Sequence, residues 1–136
     1  MKETLVQLYP EHRSYTKQRG LFLAENLHKH KGGLTYACFL SSLDGRIAIR
    51  RDDIEVLPES LGNSRDLCFF FELEAQADCI ITNGSYLRAR AAGRLDDILH
   101  IGRQKGDYSY LAQWRQDEGL DAQPLVVVCN LSLIHI

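Results

Sequence analysis

Several features that would assign a function outright are missing from this sequence. No apolar run approaches the roughly 20 residues that span a bilayer, and the opening MKETLVQLYPEHRSY lacks the apolar core of a signal peptide. Positive charge is not in excess. A formal net charge of −2 argues against nucleic acid as the main partner, because phosphate-backbone binding needs clustered Lys and Arg. The four cysteines (Cys38, Cys68, Cys79, Cys129) are widely spaced with no CxxC, and neither a zinc-type pattern nor a Ser-His-Asp arrangement is present. Three of them sit in apolar segments and read as buried thiols of a reducing compartment, which makes the cytoplasm the expected location. No metal-ligand set, catalytic side chain, internal repeat or low-complexity stretch emerges from the residues.

What is present is the composition of one ordinary domain, or part of one. The 136 residues are 45% hydrophobic and 25% charged, enough apolar mass for a core. Met1 to Tyr15 reads as an extended lead-in with a small apolar cluster. Thr16 to His30 has helical spacing, with Leu23, Ala24 and Leu27 on one face and Gly32-Gly33 as a stop. Leu34 to Leu40 reads as a buried strand, and Ser41-Ser42-Leu43-Asp44-Gly45-Arg46 as the turn leaving it.

Arg50 to Asn63 is a charged connection, long for a plain loop. Asn63 or Ser64 can cap a helix over Arg65 to Ala77, with Leu67, Phe70, Phe71 and Ala75 facing the core. The continuous apolar run Cys79 to Thr82 predicts a central strand covered on both faces. Asn83-Gly84 then turns into a short helix, Ser85 to Ala92, closed by Gly93. Ile98 to Ile101 reads as a minor strand, and Asp107 to Glu118 as a helix with Tyr110, Leu111 and Trp114 together. Pro124 to Cys129 reads as a third buried strand. Strands alternating with helices predict an α/β layered fold with a mostly parallel sheet. Right-handed crossovers would align the strand ends after Leu40, Thr82 and Cys129 along one edge, bringing Ser41–Arg46 near Asn83–Arg90.

Each of these features also has a plain structural reading. The Asp-Gly turn can be a solvent turn, Thr82-Asn83-Gly84-Ser85 an ordinary corner, and Arg88 and Arg90 a solvated helix face. His28 and His30 read as surface residues, and Asp52-Asp53 and Asp96-Asp97 as solvated loop pairs. On the functional reading, Ser42 and Asp44 bond a polar ligand that approaches the Gly45 backbone, and the Asn83-Gly84 corner receives an anion.

Taken together, YACFLSSLDGRIAI, the helix Arg65 to Gln76, Ala77-Asp78-Cys79-Ile80-Ile81 and the corner Thr82 to Ser85 resemble a known family over roughly Leu34 to Cys129. It is the riboflavin-biosynthesis pyrimidine reductase family, the reductase half of the bifunctional deaminase-reductase. The resemblance implies a dihydrofolate reductase-like three-layer fold, incomplete at the C-terminus. It also implies NADPH as cofactor and reduction of a ribosylamino-pyrimidine phosphate by hydride transfer. By position it implies cofactor contacts from Leu40, Ser42, Asp44, Thr82, Asn83, Gly84, Tyr86 and Arg90, and substrate contacts from Ser64 and Arg65. A homodimer is implied in the same way.

The chain departs from the family at four places. Cys38 stands where Asn is common, Tyr86 and Arg90 where a Thr and an Asp face the cofactor, and Glu74 where bifunctional members place a phosphate-binding Arg. A later Gly-Gly segment does not occur within the 136 residues, so weak or absent NADPH binding is expected. The expected organisation is an N-terminal extension with a helix over 1–33, a partial reductase domain over 34–129, and a non-native tail over 130–136. The last of these rests on Leu-Ser-Leu-Ile-His-Ile, which resembles translated sequencing-adapter DNA. A catalytically inactive ligand-binding or dimerising module of the same fold is the alternative.

Overall fold

In a computed structural model of the chain, the described residues are 4–51, 54–56, 61–103 and 106–129. They form six short strands and three helices. Two antiparallel hairpins, β1 (Leu5–Gln7) with β2 (Arg13–Tyr15) and β3 (Ile49–Arg51) with β4 (Ile54–Val56), precede the helices. Next come α1 (Ser64–Glu74), β5 (Cys79–Asn83), α2 (Gly84–Ala91), α3 (Ser109–Asp117) and β6 (Leu125–Cys129). β5 and β6 pair in parallel with Asn83 opposite Cys129, so these two strands end at a common edge. The mixture of helices and strands with a parallel pair is α/β in kind.

The helices begin and end where local chemistry dictates. Asn63 is extended, and its side chain accepts from the backbone N–H groups of Arg65 at 3.0 Å and Asp66 at 2.9 Å, two donors with no partner inside the helix. Asn83 does the same for α2 through Tyr86 N at 3.0 Å. Gly93 and Gly119, at φ +69° and +73°, follow α2 and α3 in a conformation that L side chains resist.

The core gathers Leu23, Phe71, Ala75, Ile101 and Leu111, with Tyr108, Tyr110 and Trp114 packed against it. Here α1 departs from its expected face: Phe71 and Ala75 are buried, whereas Leu67 and Phe70 stay 44% and 38% exposed. The helix is rotated because Glu72 and Gln76, both fully buried, carry the hydrogen bonds that hold the N-terminal segment.

That segment corrects a second expectation. Thr16 to His30 is not a helix but two 3-10 turns, Leu23–Glu25 and Leu27–Lys29, broken by Asn26 in the left-handed region at φ 51°. The N–H groups of Gly20, Phe22 and Leu27 donate to the side chains of Glu72 and Gln76 instead of to a helical ladder. The lead-in is likewise a hairpin, closed by Tyr15 Oη donating to Gln7 at 2.7 Å.

Leu34 to Leu40 forms no strand. It runs irregularly and largely exposed, and Tyr36 is tied down by its hydroxyl, which donates to Leu73 O at 2.6 Å. The turn after it is present: Ser42 N donates to Arg46 O and Gly45 N to Ser42 O, both at 2.9 Å, with Gly45 at φ +81°. β5 and β6 are not buried on both faces; Cys79, Ile81 and Asn83 are exposed, as is most of β6. Among the described residues each has one strand partner, too few layers to cover both faces. Ile98 to Ile101 is a bend and turn that delivers Ile101 to the core. The 130–136 tail and residues 52–53 and 57–60 of the Arg50–Asn63 connection lie outside the described residues.

Candidate functional site

The residues predicted to line a nucleotide cleft fall into three groups. The first is the turn: Leu40 is half-buried, Ser42 Oγ donates to Asp44 Oδ1, and Asp44 pairs with Arg46 Nε at 3.1 Å. These described bonds close the turn upon itself. The second is the β5–α2 corner, where Thr82 is half-buried and Gly84 buried. Here Asn83 caps the helix and also accepts from Ser85 Oγ, while Tyr86 Oη donates to Asp96 O at 2.7 Å and Arg90 pairs with Asp97 at 2.7 Å. Burial pushes the Tyr86 hydroxyl above its ordinary range, with Glu74 and Asp97 adding to it. The third is the start of α1, where Ser64 is exposed and Arg65 O accepts from Gln18 Nε2 at 2.7 Å. Among the described residues no hydrogen bond or ion pair joins the turn to the corner.

A different cleft is built elsewhere. A cavity of about 530 Å³ lies between the irregular segment 33–38, the C-terminal half of α1 and the first half of β5. Leu34, Phe70, Leu73 and Ile80 supply apolar walls, and Tyr36, Glu74 and Asp78 supply polar ones. None of the residues predicted to bind cofactor or substrate lines it. Burial first, then the Asp78 and Glu74 carboxylates, push the Tyr36 hydroxyl up to about 12.

Glu74 is held in place from behind. His100 Nε2 stands 3.0 Å from Glu74 Oε2, while His100 Nδ1 contacts the carbonyl oxygen of Asp97. Both ring nitrogens thus face oxygen acceptors, an arrangement that an imidazolium, with a proton on each nitrogen, satisfies better than the neutral ring. The bond to Glu74 accordingly raises the His100 pKa, against the opposing cost of burial.

The cysteines do not behave as buried thiols: Cys38, Cys79 and Cys129 are exposed and Cys68 is half-buried. Their apolar sequence neighbours lie on surfaces that no second layer covers, among the described residues. The sequence reading also missed Glu72, Gln76 and Arg115, which are buried and polar. No local signal separates such residues from a solvated helix face. For Glu72 and Gln76 the spacing on the same face as Phe71 and Ala75 was the available clue.

No family model matches the chain, and no curated protein and no solved structure matches it.

Proposed function

We propose that the chain carries part of the nucleotide cleft of an NADPH-dependent reductase acting on a ribosylamino-pyrimidine phosphate, in a dihydrofolate reductase-like fold. The observation that supports this reading best is the parallel β5–α2–α3–β6 unit. β5 runs straight into α2 through the buried Gly84, and the ends of β5 and β6 lie level at one edge. In α/β proteins that edge is where ligands bind. On this reading Asn83, Gly84, Tyr86 and Arg90 meet the cofactor, with Ser42 and Asp44 opposite, while Ser64 and Arg65 meet the substrate. Cofactor binding by the isolated residues is weak, because Asn83 and Arg90 are already engaged by Tyr86 N and Asp97.

The test is a nitrogen-15 NMR titration of the chain with NADPH, followed by the nicotinamide absorbance in the presence of a ribosylamino-pyrimidine phosphate. Shifts at residues 40–44 and 82–90 that Asp44→Ala abolishes support the reading. Shifts confined to other residues, or shifts at 40–44 and 82–90 that Asp44→Ala leaves unchanged, together with no absorbance loss, sink it.

One observation favours a second reading, a catalytically inactive module that binds ligand or a second copy. Ile81, Leu125, Val127 and Val128 on the β5–β6 pair are 64%, 71%, 48% and 40% exposed. A sedimentation velocity experiment showing a concentration-dependent dimer, with no NADPH consumption, would favour it over the reductase.

A further inference from the structure

We infer that the cleft between segment 33–38, α1 and β5 is a binding site for a small planar organic cation, such as an arylamidine or a protonated amino-heterocycle. The cleft shares none of the predicted cofactor and substrate contacts, although Cys38 and Glu74, two of the positions at which the chain departs from the family, line it. The volume of about 530 Å³ falls in the range of small-molecule pockets.

The lining has the chemistry of cation recognition. Phe70 and Tyr36 present aromatic rings, whose faces attract cations, and Glu74 and Asp78 present carboxylates. Among the described lining residues there is no Lys or Arg; the nearby Arg115 guanidinium acts on Tyr36 and Asp78 from outside the lining, with its donors taken by the carbonyls of Ala75, Ala77 and Asp121. Of the two histidines in the lining, His28 is turned to Glu118 at 3.2 Å.

The carboxylates differ in how they are held. The Glu74 side chain is only 9% exposed and fixed by His100, which leaves its orientation settled before a ligand arrives. Asp78 is exposed, and among the described residues its side chain makes no hydrogen bond. Asp78 also follows Ala77, whose carbonyl is gripped by Arg115 at 2.9 Å, so the backbone that places it is anchored. Leu34 and Ile80 add apolar lining against which an aromatic ring can pack. An N–H fork aimed at a carboxylate, with its ring between apolar walls, satisfies both halves of this lining.

The test compares two probes of nearly the same shape and opposite charge, benzamidine and benzoate, titrated into the full 136-residue chain by NMR. Benzamidine is expected to shift Tyr36, Glu74, Asp78 and Ile80 and to bind at least about tenfold more tightly than benzoate. Asp78→Asn and Glu74→Gln are each expected to weaken benzamidine at least about threefold. If Glu74→Gln disturbs folding through the loss of its bond to His100, Asp78→Asn decides alone. Equal binding of the two probes, benzamidine shifts confined to other residues, or an affinity unchanged by Asp78→Asn would each overturn the inference. NADPH consumption is scored separately, so failure here leaves the reductase reading standing and the reverse.

Discussion

Glu72 on α1 and Tyr110 on α3 meet inside the protein: the Tyr110 hydroxyl donates to Glu72 Oε1 at 2.8 Å. The same carboxylate accepts the backbone N–H groups of Gly20 and Phe22. One fully buried carboxylate therefore joins two helices and the N-terminal segment. Burial and the hydrogen bonds to Cys68 and Glu72 drive the Tyr110 pKa upward, as befits a phenol beside a carboxylate.

Replacing Glu72 should therefore be costly. Glu72→Ala leaves two backbone donors and a hydroxyl without an acceptor, each worth roughly 1 to 3 kcal/mol when buried. Urea unfolding should show a loss of about 3 kcal/mol or more. Glu72→Gln, which keeps one acceptor oxygen, should lose less. A loss under about 1 kcal/mol for Glu72→Ala would mean that the N-terminal segment is not bound to α1 in solution.

Arg115 plays the matching part at the other end of α1. The residue is 1% exposed, and its guanidinium donates to the carbonyl oxygens of Ala75 at 2.8 Å, Ala77 at 2.9 Å and Asp121 at 2.6 Å. Burial lowers its pKa, with Asp78 and Asp121 opposing. Lys cannot reproduce three separated donors from one planar fork. Arg115→Lys should lose roughly 1 to 2 kcal/mol of unfolding free energy, and Arg115→Met more, because it leaves all three carbonyls without a donor.

How far these features could be read in advance divides along physical lines. α1, α2, α3, β5 and β6 were legible because each is marked locally: Asn63 and Asn83 at helix starts, Gly93 and Gly119 beyond helix ends, and apolar runs for the strands. Glu72, Gln76 and Arg115 were not, since polarity alone argues for solvent, and only partners distant in the sequence explain their burial. The same long-range bonds overrode the helical spacing of residues 16–30. Leu34 to Leu40 carried a strand pattern, but pairing is a property of two segments, and among the described residues no strand lies against it. The cleft walled by that segment was therefore invisible beforehand, although Glu74 had been noticed for its charge.

The His100–Glu74 pair makes stability depend on pH in a definite direction. Because the bond to Glu74 raises the folded-state pKa of His100 above 6.5, its contribution is complete below pH 6.5. That contribution is lost as pH rises through the folded value. The urea midpoint should fall as pH rises from 6.5 through the folded value, and His100→Gln should flatten this decline. Phe71 and the Asp97 carboxylate, itself lowered by its bond from Leu99 N, are the other groups around the ring. A wild-type midpoint that is flat across this window would remove the imidazolium assignment.

The thiols offer a direct check on the exposed faces of the sheet. Cys38, Cys79 and Cys129 are exposed, whereas Cys68 is half-buried beside Tyr110 Oη at 3.7 Å and Glu72 Oε1 at 3.9 Å. Burial raises the pKa of Cys68 first of all, and Glu72 adds to it. An aromatic disulfide reagent should label three thiols quickly in the folded chain and the fourth only on unfolding. One fast thiol or none would mean that another layer covers β5 and β6 in solution.

Asn83 separates a structural from a functional role at the corner. As the cap of α2 it accepts from Tyr86 N at 3.0 Å, so Asn83→Ala should cost about 1 kcal/mol of stability. Asn83→Asp keeps the acceptor and adds a charge that suits a helix start, so it should be as stable as the parent. A phosphate approaching the same N–H groups would meet that charge as repulsion. Under the reductase reading, Asn83→Asp thus weakens NADPH-induced shifts at residues 82–90 while leaving the urea midpoint in place. If Asn83→Asp is stable and its titration is unchanged, the corner serves only to start the helix. The nucleotide cleft must then be sought elsewhere.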